Sequence, residues 1–169
     1  WQRFPRLRLI LPTLPHLKPV LQPMIEDWPI QPLLLDERAD RFDAYAASWL
    51  AIAASGTVTL ELALANLPHV TIYRTGAITA WLARRMINVA HVNLVNLILN
   101  RPVVPEWLQE DCNPERIAAS ALHLIEDADH REAQKSALSE VMAMLRGGDD
   151  APPSEQAARR VLDLLGRPA

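Results

Sequence analysis

Ala51-Ile52-Ala53-Ala54-Ser55-Gly56-Thr57-Val58-Thr59-Leu60-Glu61 decides the fold. A short apolar run reads as a buried strand, a small-residue turn follows, and an apolar segment opens a helix. Gly56 lets a ligand approach the backbone closely. The first amides of a helix are unpaired and carry partial positive charge, so they favour a phosphate. Ser55, Thr57 and Thr59 add hydroxyl donors. Glu61, one turn into the helix, suits the acceptance of hydrogen bonds from sugar hydroxyls better than contact with a diphosphate. The plainer reading makes Ser55 or Thr57 a helix cap and Glu61 a solvated acid near a positive helix end.

The same alternation extends outward on both sides. Leu7–Pro12 and Ile30–Leu35 read as strands and His16–Asp27 as the helix between them, with Pro23 expected to kink or end it. Arg38–Leu50 carries Phe42, Tyr45, Ala46 and Trp49 at helical spacing. Downstream, Val58–Asn66 reads as a helix, Val70–Tyr73 as a strand, Ala77–Ile87 as a helix and His91–Leu97 as a region holding a short fifth strand. Helices are expected near Pro105–Glu110, at Pro114–Glu126 and at Arg131–Leu145. A linker over 147–153 precedes an amphipathic helix over Glu155–Leu165, whose Val161, Leu162, Leu164 and Leu165 should pack back on the body. Residues 1–146 then form one domain and 154–169 a separate helix. The fold class is α/β: a Rossmann-like parallel sheet with helices on both faces, with ligands beyond the carboxyl ends of the strands.

Composition narrows the function. Half of the 169 residues are apolar, enough for a sizeable core. A net charge of -3 lacks the basic footprint of a nucleic-acid binder. Cys112 is the single cysteine, which excludes an internal disulfide framework and a Cys-rich zinc site and fits a reducing, cytoplasmic home. No run approaches the roughly 18 apolar residues of a membrane span. The chain opens Trp1-Gln2-Arg3-Phe4-Pro5, like the end of a helix and the turn before a strand. An amino-terminal part is therefore expected to precede it.

The segment Ser55–Pro68 resembles the nucleotide-binding stretch of lipid-A-disaccharide synthases. Leu11–Leu17, Tyr73-Arg74, Thr79–Arg85, Asn96, Arg101–Glu106 and Leu108–Cys112 continue the likeness in order along the chain. The resemblance implies the carboxy-terminal, UDP-binding half of a two-domain GT-B glycosyltransferase of Gram-negative bacteria. Such an enzyme transfers diacylated glucosamine from UDP to diacylated glucosamine 1-phosphate and inverts the anomeric centre. The acceptor half, its general base and a Gly-Ser-Arg turn near the diphosphate would precede residue 1. The glycosyltransferase that builds lipid II has a similar Ser-Gly turn, with a Glu at the same distance that contacts ribose, which implies that role for Glu61. On the same resemblance Arg74, Asn96, Glu106 and Gln109 join Ser55, Gly56, Thr57, Thr59 and Glu61 at the UDP-sugar site. No metal cofactor is expected. The enzyme would be cytoplasmic and peripheral on the inner face of the cytoplasmic membrane.

Two departures bear on the loop carrying Asn96. Most members have Leu-Pro-Asn where this chain has Leu94-Val95-Asn96, and Ala-Gly where it has Leu99-Asn100. A UDP-sugar epimerase and a degenerate binding or scaffold domain remain open as other readings. If Glu106 and Gln109 lie in a helix, their spacing of three puts them on one face. Arg74, at a strand end, can neutralise a phosphate or make a surface ion pair. Trp81, Arg84 and Arg85 suit an anionic lipid surface, or a core Trp beside two solvated arginines. Asp127-Ala128-Asp129-His130 formally matches a metal-binding acidic pair but falls between helices. His16, His69, His91 and His123 lack zinc-ligand spacing.

Overall fold

A computed structural model describes residues 3–37, 40–76, 91–146 and 151–166. The first βαβ unit is β1 (Ile10–Pro12), α1 (Lys18–Ile25) and β2 (Leu33–Leu35). There follow α2 (Asp40–Ala47), β3 (Ala51–Ala54), α3 (Val58–Leu64), β4 (His69–Tyr73), α4 (Leu94–Leu99) and β5 (Glu106–Leu108). A 3₁₀ turn over Gln109–Asp111 leads into α5 (Pro114–Glu126), α6 (Ala128–Arg146) and α7 (Pro153–Leu164). All strand pairs are parallel, and they form two sheets, β1-β2 and β3-β4-β5. The chain is therefore α/β, as its alternating pattern predicts, with two small sheets where one was expected.

β4 is the central strand, and Val70 and Thr71 are fully buried in it. β3 is an edge among the described residues, so the expectation that it is buried is corrected: Ile52 is 50% exposed. The core lies behind the β3–β5 sheet. Ala63 of α3, Val95 of α4, Val104, and Leu138 and Val141 of α6 pack together there. Tyr45, Leu62 and Leu67 form a second cluster.

Two other expectations are corrected. The His91–Leu97 region holds a helix start, not a strand. Asn93 caps α4 by accepting from the amides of Val95 and Asn96 at 2.7 and 3.4 Å. The apolar run read as a strand is too short for its helical period to be legible. The Pro105–Glu110 segment is β5 and a 3₁₀ turn, not a helix. Glu106, Trp107 and Leu108 stand in register with Thr71, Ile72 and Tyr73, and the Thr71 amide donates to the Pro105 carbonyl at 2.8 Å. Pairing with β4 supplies what local preference did not. Pro23 lies inside α1; it and Pro19 are exposed, so the carbonyl left without its helical donor is on the solvent side.

The tail helix also departs from expectation: Val161, Leu164 and Leu165 of α7 and its C-cap are exposed and Leu162 is half-buried, so most of this stripe does not pack back on the body. Ala77–Ile87, with Trp81, Arg84 and Arg85, lies outside the described residues, as do 147–150 of the linker. Among the described residues, no helix is long and apolar enough to cross a membrane.

The two departures around α4 are absorbed locally. Asn100 ends the helix with φ 50°, the left-handed conformation that a glycine supplies and that Asn tolerates. Val95 has an amide that proline lacks, and the Asn93 side chain accepts from it. The helix carrying Asn96 is thus held at both ends.

Candidate functional site

Because the strands are parallel, β3, β4 and β5 deliver their carboxyl ends to one edge. Ser55-Gly56-Thr57 leaves β3, Arg74-Thr75 leaves β4 and Gln109 leaves β5. The Ser55 amide donates to the Ile72 carbonyl at 2.9 Å, and its hydroxyl donates to the Val92 carbonyl at 2.8 Å. Gly56 has φ 150°, which side-chain-bearing residues rarely adopt, and a Cβ built there would meet nothing within 4 Å. The space above this turn is open. Among the described residues the amides of Gly56, Thr57 and Val58 have no backbone acceptor. Thr57 is exposed, makes no cap bond through its side chain and leaves its hydroxyl at this edge. Thr59 is fully buried and donates to the Gly56 carbonyl at 2.8 Å, so it braces the turn.

Glu61 is not a freely solvated acid. Nη2 of Arg41 lies 3.3 Å from one carboxylate oxygen, and the Tyr45 hydroxyl donates to the other at 3.4 Å. Burial first, and the Glu61 charge second, push the Tyr45 hydroxyl above its ordinary range. α2 thus holds this carboxylate in place while leaving it 29% exposed.

Glu106 begins β5, and its carboxylate is enclosed beneath this edge, only 10% exposed. One oxygen accepts from the Val92 amide at 2.8 Å and the other from Nδ2 of Asn96 at 2.5 Å. Nδ1 of His91 lies 3.6 Å away. Gln109 has φ 51° and accepts from the Thr75 amide at 3.4 Å, which ties the ends of β4 and β5 together. Glu106 and Gln109 therefore flank a short strand, with Gln109 at the carboxyl edge and Glu106 at the amino end of β5, and they do not share a helix face. Arg74 is exposed and has no partner among the described residues. Asn96 is fully buried: its Oδ1 accepts from the amides of Val103 and Val104, and its Nδ2 donates to the Val104 carbonyl and to Glu106. It shapes the site from beneath.

Sequence reasoning missed Arg41, Tyr45, His91 and Asn93. Asn93 carried a readable signal, an Asn immediately before an apolar run, which marks a helix start. The others reach the site across distances that no local pattern records. Asp127 accepts from the His130 amide at 2.9 Å and so serves the start of α6. That amide holds its carboxyl below the usual range.

Parallel strands whose polar ends converge on one edge, beside an open glycine turn at a helix start, define an α/β domain with a preformed polar crevice. The family of lipid-A-disaccharide synthetases matches residues 2–160, and the chain belongs to that family. It is 44% identical to the lipid-A-disaccharide synthase of Rhodospirillum centenum over 96% of this chain and 40% of that relative. Against the synthase of Gluconobacter oxydans it is 39% identical over 98% of this chain and 40% of the relative. Against that of Bradyrhizobium diazoefficiens the figures are 42%, 85% and 37%. The chain spans about 40% of the length of these curated relatives.

Proposed function

We propose that this chain is the UDP-sugar-binding half of an inverting glycosyltransferase that joins UDP-2,3-diacylglucosamine to 2,3-diacylglucosamine 1-phosphate. One observation carries the reading: in a member of this family, Ser55–Thr57, Arg74 and Gln109 converge on the carboxyl edge of a parallel sheet, where such folds bind ligands, and Glu106 is tied to that edge through Val92, whose carbonyl accepts from Ser55. The free amides after Ser55 and the Arg74 guanidinium take the diphosphate and stabilise the charge that grows as UDP leaves. No metal is needed for that task. Glu61, with two of its roughly four lone-pair directions used by Arg41 and Tyr45, accepts from the ribose hydroxyls. Glu106 and Gln109 face the sugar side. The acceptor hydroxyl attacks the anomeric carbon in a direct displacement, and the general base belongs to the other half of the enzyme. Residues 1–146 form the nucleotide-sugar domain, 147–153 the linker and 154–169 a separate helix. Trp81, Arg84 and Arg85 meet the inner face of the cytoplasmic membrane, where both lipid substrates reside.

The sheet edges support the half-enzyme reading. Doubly wound sheets run in the order 3-2-1-4-5-6. Here the orders are β2-β1 and β3-β4-β5. One parallel strand between β1 and β3, earlier in the polypeptide than β1, completes that order and covers Ile52. Ile52→Thr is then expected to change the unfolding free energy of this 169-residue chain by no more than about 0.5 kcal/mol, as at a surface site. In the full-length protein the same change is expected to cost about 1 kcal/mol or more, because the side chain is enclosed there. Equal small effects in parallel denaturant titrations would argue against a strand in that place.

Calorimetric titration with UDP and with pyrophosphate tests the site. The wild-type chain is expected to bind UDP weakly. Glu61→Ala is expected to weaken UDP by roughly 1.5–3 kcal/mol, the loss of hydrogen bonds to a charged group, and to weaken pyrophosphate less. Equal losses for both ligands would remove Glu61 from the ribose. No UDP binding at millimolar concentration would favour a scaffold in place of a binding site.

A further inference from the structure

A buried polar chain runs from α6 to Glu106, and the sequence spacing does not show its connections. Gln134 of α6, 2% exposed, accepts from the His69 amide at 2.7 Å and donates to the carbonyls of His69 and Val103 at 3.3 and 3.2 Å. His69 is fully buried at the start of β4, and its Nδ1 faces the Leu67 carbonyl at 3.1 Å. A carbonyl can only accept, so Nδ1 carries the proton and Nε2 is left as an acceptor. Nδ2 of Asn93 lies 3.2 Å from that Nε2 and 2.6 Å from Oγ1 of Thr71. These two contacts orient the Asn93 amide, so its Oδ1 faces the first amides of α4. α4 in turn carries Asn96, whose Nδ2 reaches Glu106.

We infer that His69 and Asn93 are positioning residues for the Glu106 carboxylate: the neutral imidazole orients Asn93, Asn93 sets the start of α4, and α4 aims Asn96 at Glu106. The inference rests on the reading that Glu106 faces the donor sugar. It adds that donor affinity depends on two side chains that touch no substrate. Burial favours this arrangement, because it depresses the basicity of His69 and keeps the ring neutral, with Nε2 free to accept. Asn is specific here. Ser at position 93 would still cap the helix, but its single hydroxyl cannot also donate to both His69 and Thr71.

The test is steady-state kinetics of the full-length enzyme with UDP-2,3-diacylglucosamine, using Asn93→Ser, Glu106→Gln and the double variant. Asn93→Ser is expected to raise the donor KM about tenfold, in line with the loss of one or two buried hydrogen bonds, with acceptor KM unchanged and kcat nearly so. Glu106→Gln is expected to raise the donor KM as well, and the double variant should be no worse than Glu106→Gln alone, because both act through one group. Additive effects, or an Asn93→Ser enzyme with normal donor KM beside an impaired Glu106→Gln, would overturn the inference and leave the donor-site reading standing. A Glu106→Gln enzyme with unchanged donor KM would overturn the reading and the inference with it. If Asn93→Ser does not fold, His69→Leu removes the ring acceptor and keeps the cap. It is expected to raise the donor KM about threefold, a fraction of a buried hydrogen bond, and a folded His69→Leu enzyme with unchanged donor KM would refute the positioning role.

Discussion

Asn96→Ala is expected to lower the unfolding free energy by about 3–5 kcal/mol, a large fraction of the stability of an ordinary domain. The reason is the number of groups that depend on one amide. Oδ1 of Asn96 is the acceptor for the Val103 and Val104 amides at 2.9 and 2.8 Å, and Nδ2 serves the Val104 carbonyl at 2.8 Å. Val104 is 2% exposed, so its backbone cannot turn to water without opening the core it shares with Val95, Leu138 and Val141. The same amide donates to Glu106, an enclosed carboxylate, and bonds to charged groups are the costly ones to lose. Urea unfolding at neutral pH measures the effect. A loss below about 1 kcal/mol would mean that water enters and replaces the amide, contrary to the closed packing. Asn96→Asp is no remedy, since it sets a second carboxylate against Glu106.

Acidification is expected to cost the fold about 3 kcal/mol through His69 alone, since a tenfold difference in proton affinity between the folded and unfolded chain corresponds to about 1.4 kcal/mol. Burial lowers the His69 pKa from 6.5 to about 4. The sign follows from which state takes the proton first. Above pH 6.5 the imidazole is neutral in both states and stability is at its full value. As pH falls below 6.5 the unfolded chain binds a proton that the folded chain refuses, so stability falls until the folded pKa near 4 is reached. Below that both states are protonated and this residue contributes no further loss. A proton on Nε2 would also point at Nδ2 of Asn93, a donor against a donor. Unfolding free energies of wild type and His69→Leu between pH 7.5 and pH 4 measure the effect. The wild type should lose stability across this window by about 3 kcal/mol more than the variant. Parallel pH dependences would show that another group controls acid unfolding.

The sequence by itself determined the α/β class, the family and the elements whose signals are local. β3 covers Ala51–Ala54 and α5 covers Pro114–Glu126, both as read from the residues, and α3 starts at Val58 as expected. A run of small apolar residues ended by Gly56, and Asn113 capping a helix that opens on Pro114, act over three or four residues. Such signals are complete within the segment that displays them.

Only the tertiary structure decided β5, the partners of Glu61 and the buried chain through His69. Glu106-Trp107-Leu108 becomes a strand because β4 offers a free edge of backbone groups 35 residues upstream, so its state is set outside the segment. Arg41 and Glu61 are 20 residues apart, and His69 and Gln134 are 65 apart. Hydrogen bonds of that kind leave no period in the sequence, because either partner alone is an ordinary polar residue. Burial makes the pairing obligatory: once the sheet and α6 exclude water, every polar atom between them must meet another. Pairing with β4, and not the local spacing of Glu106 and Gln109, sets the two residues at opposite ends of one strand, with Gln109 at the carboxyl edge.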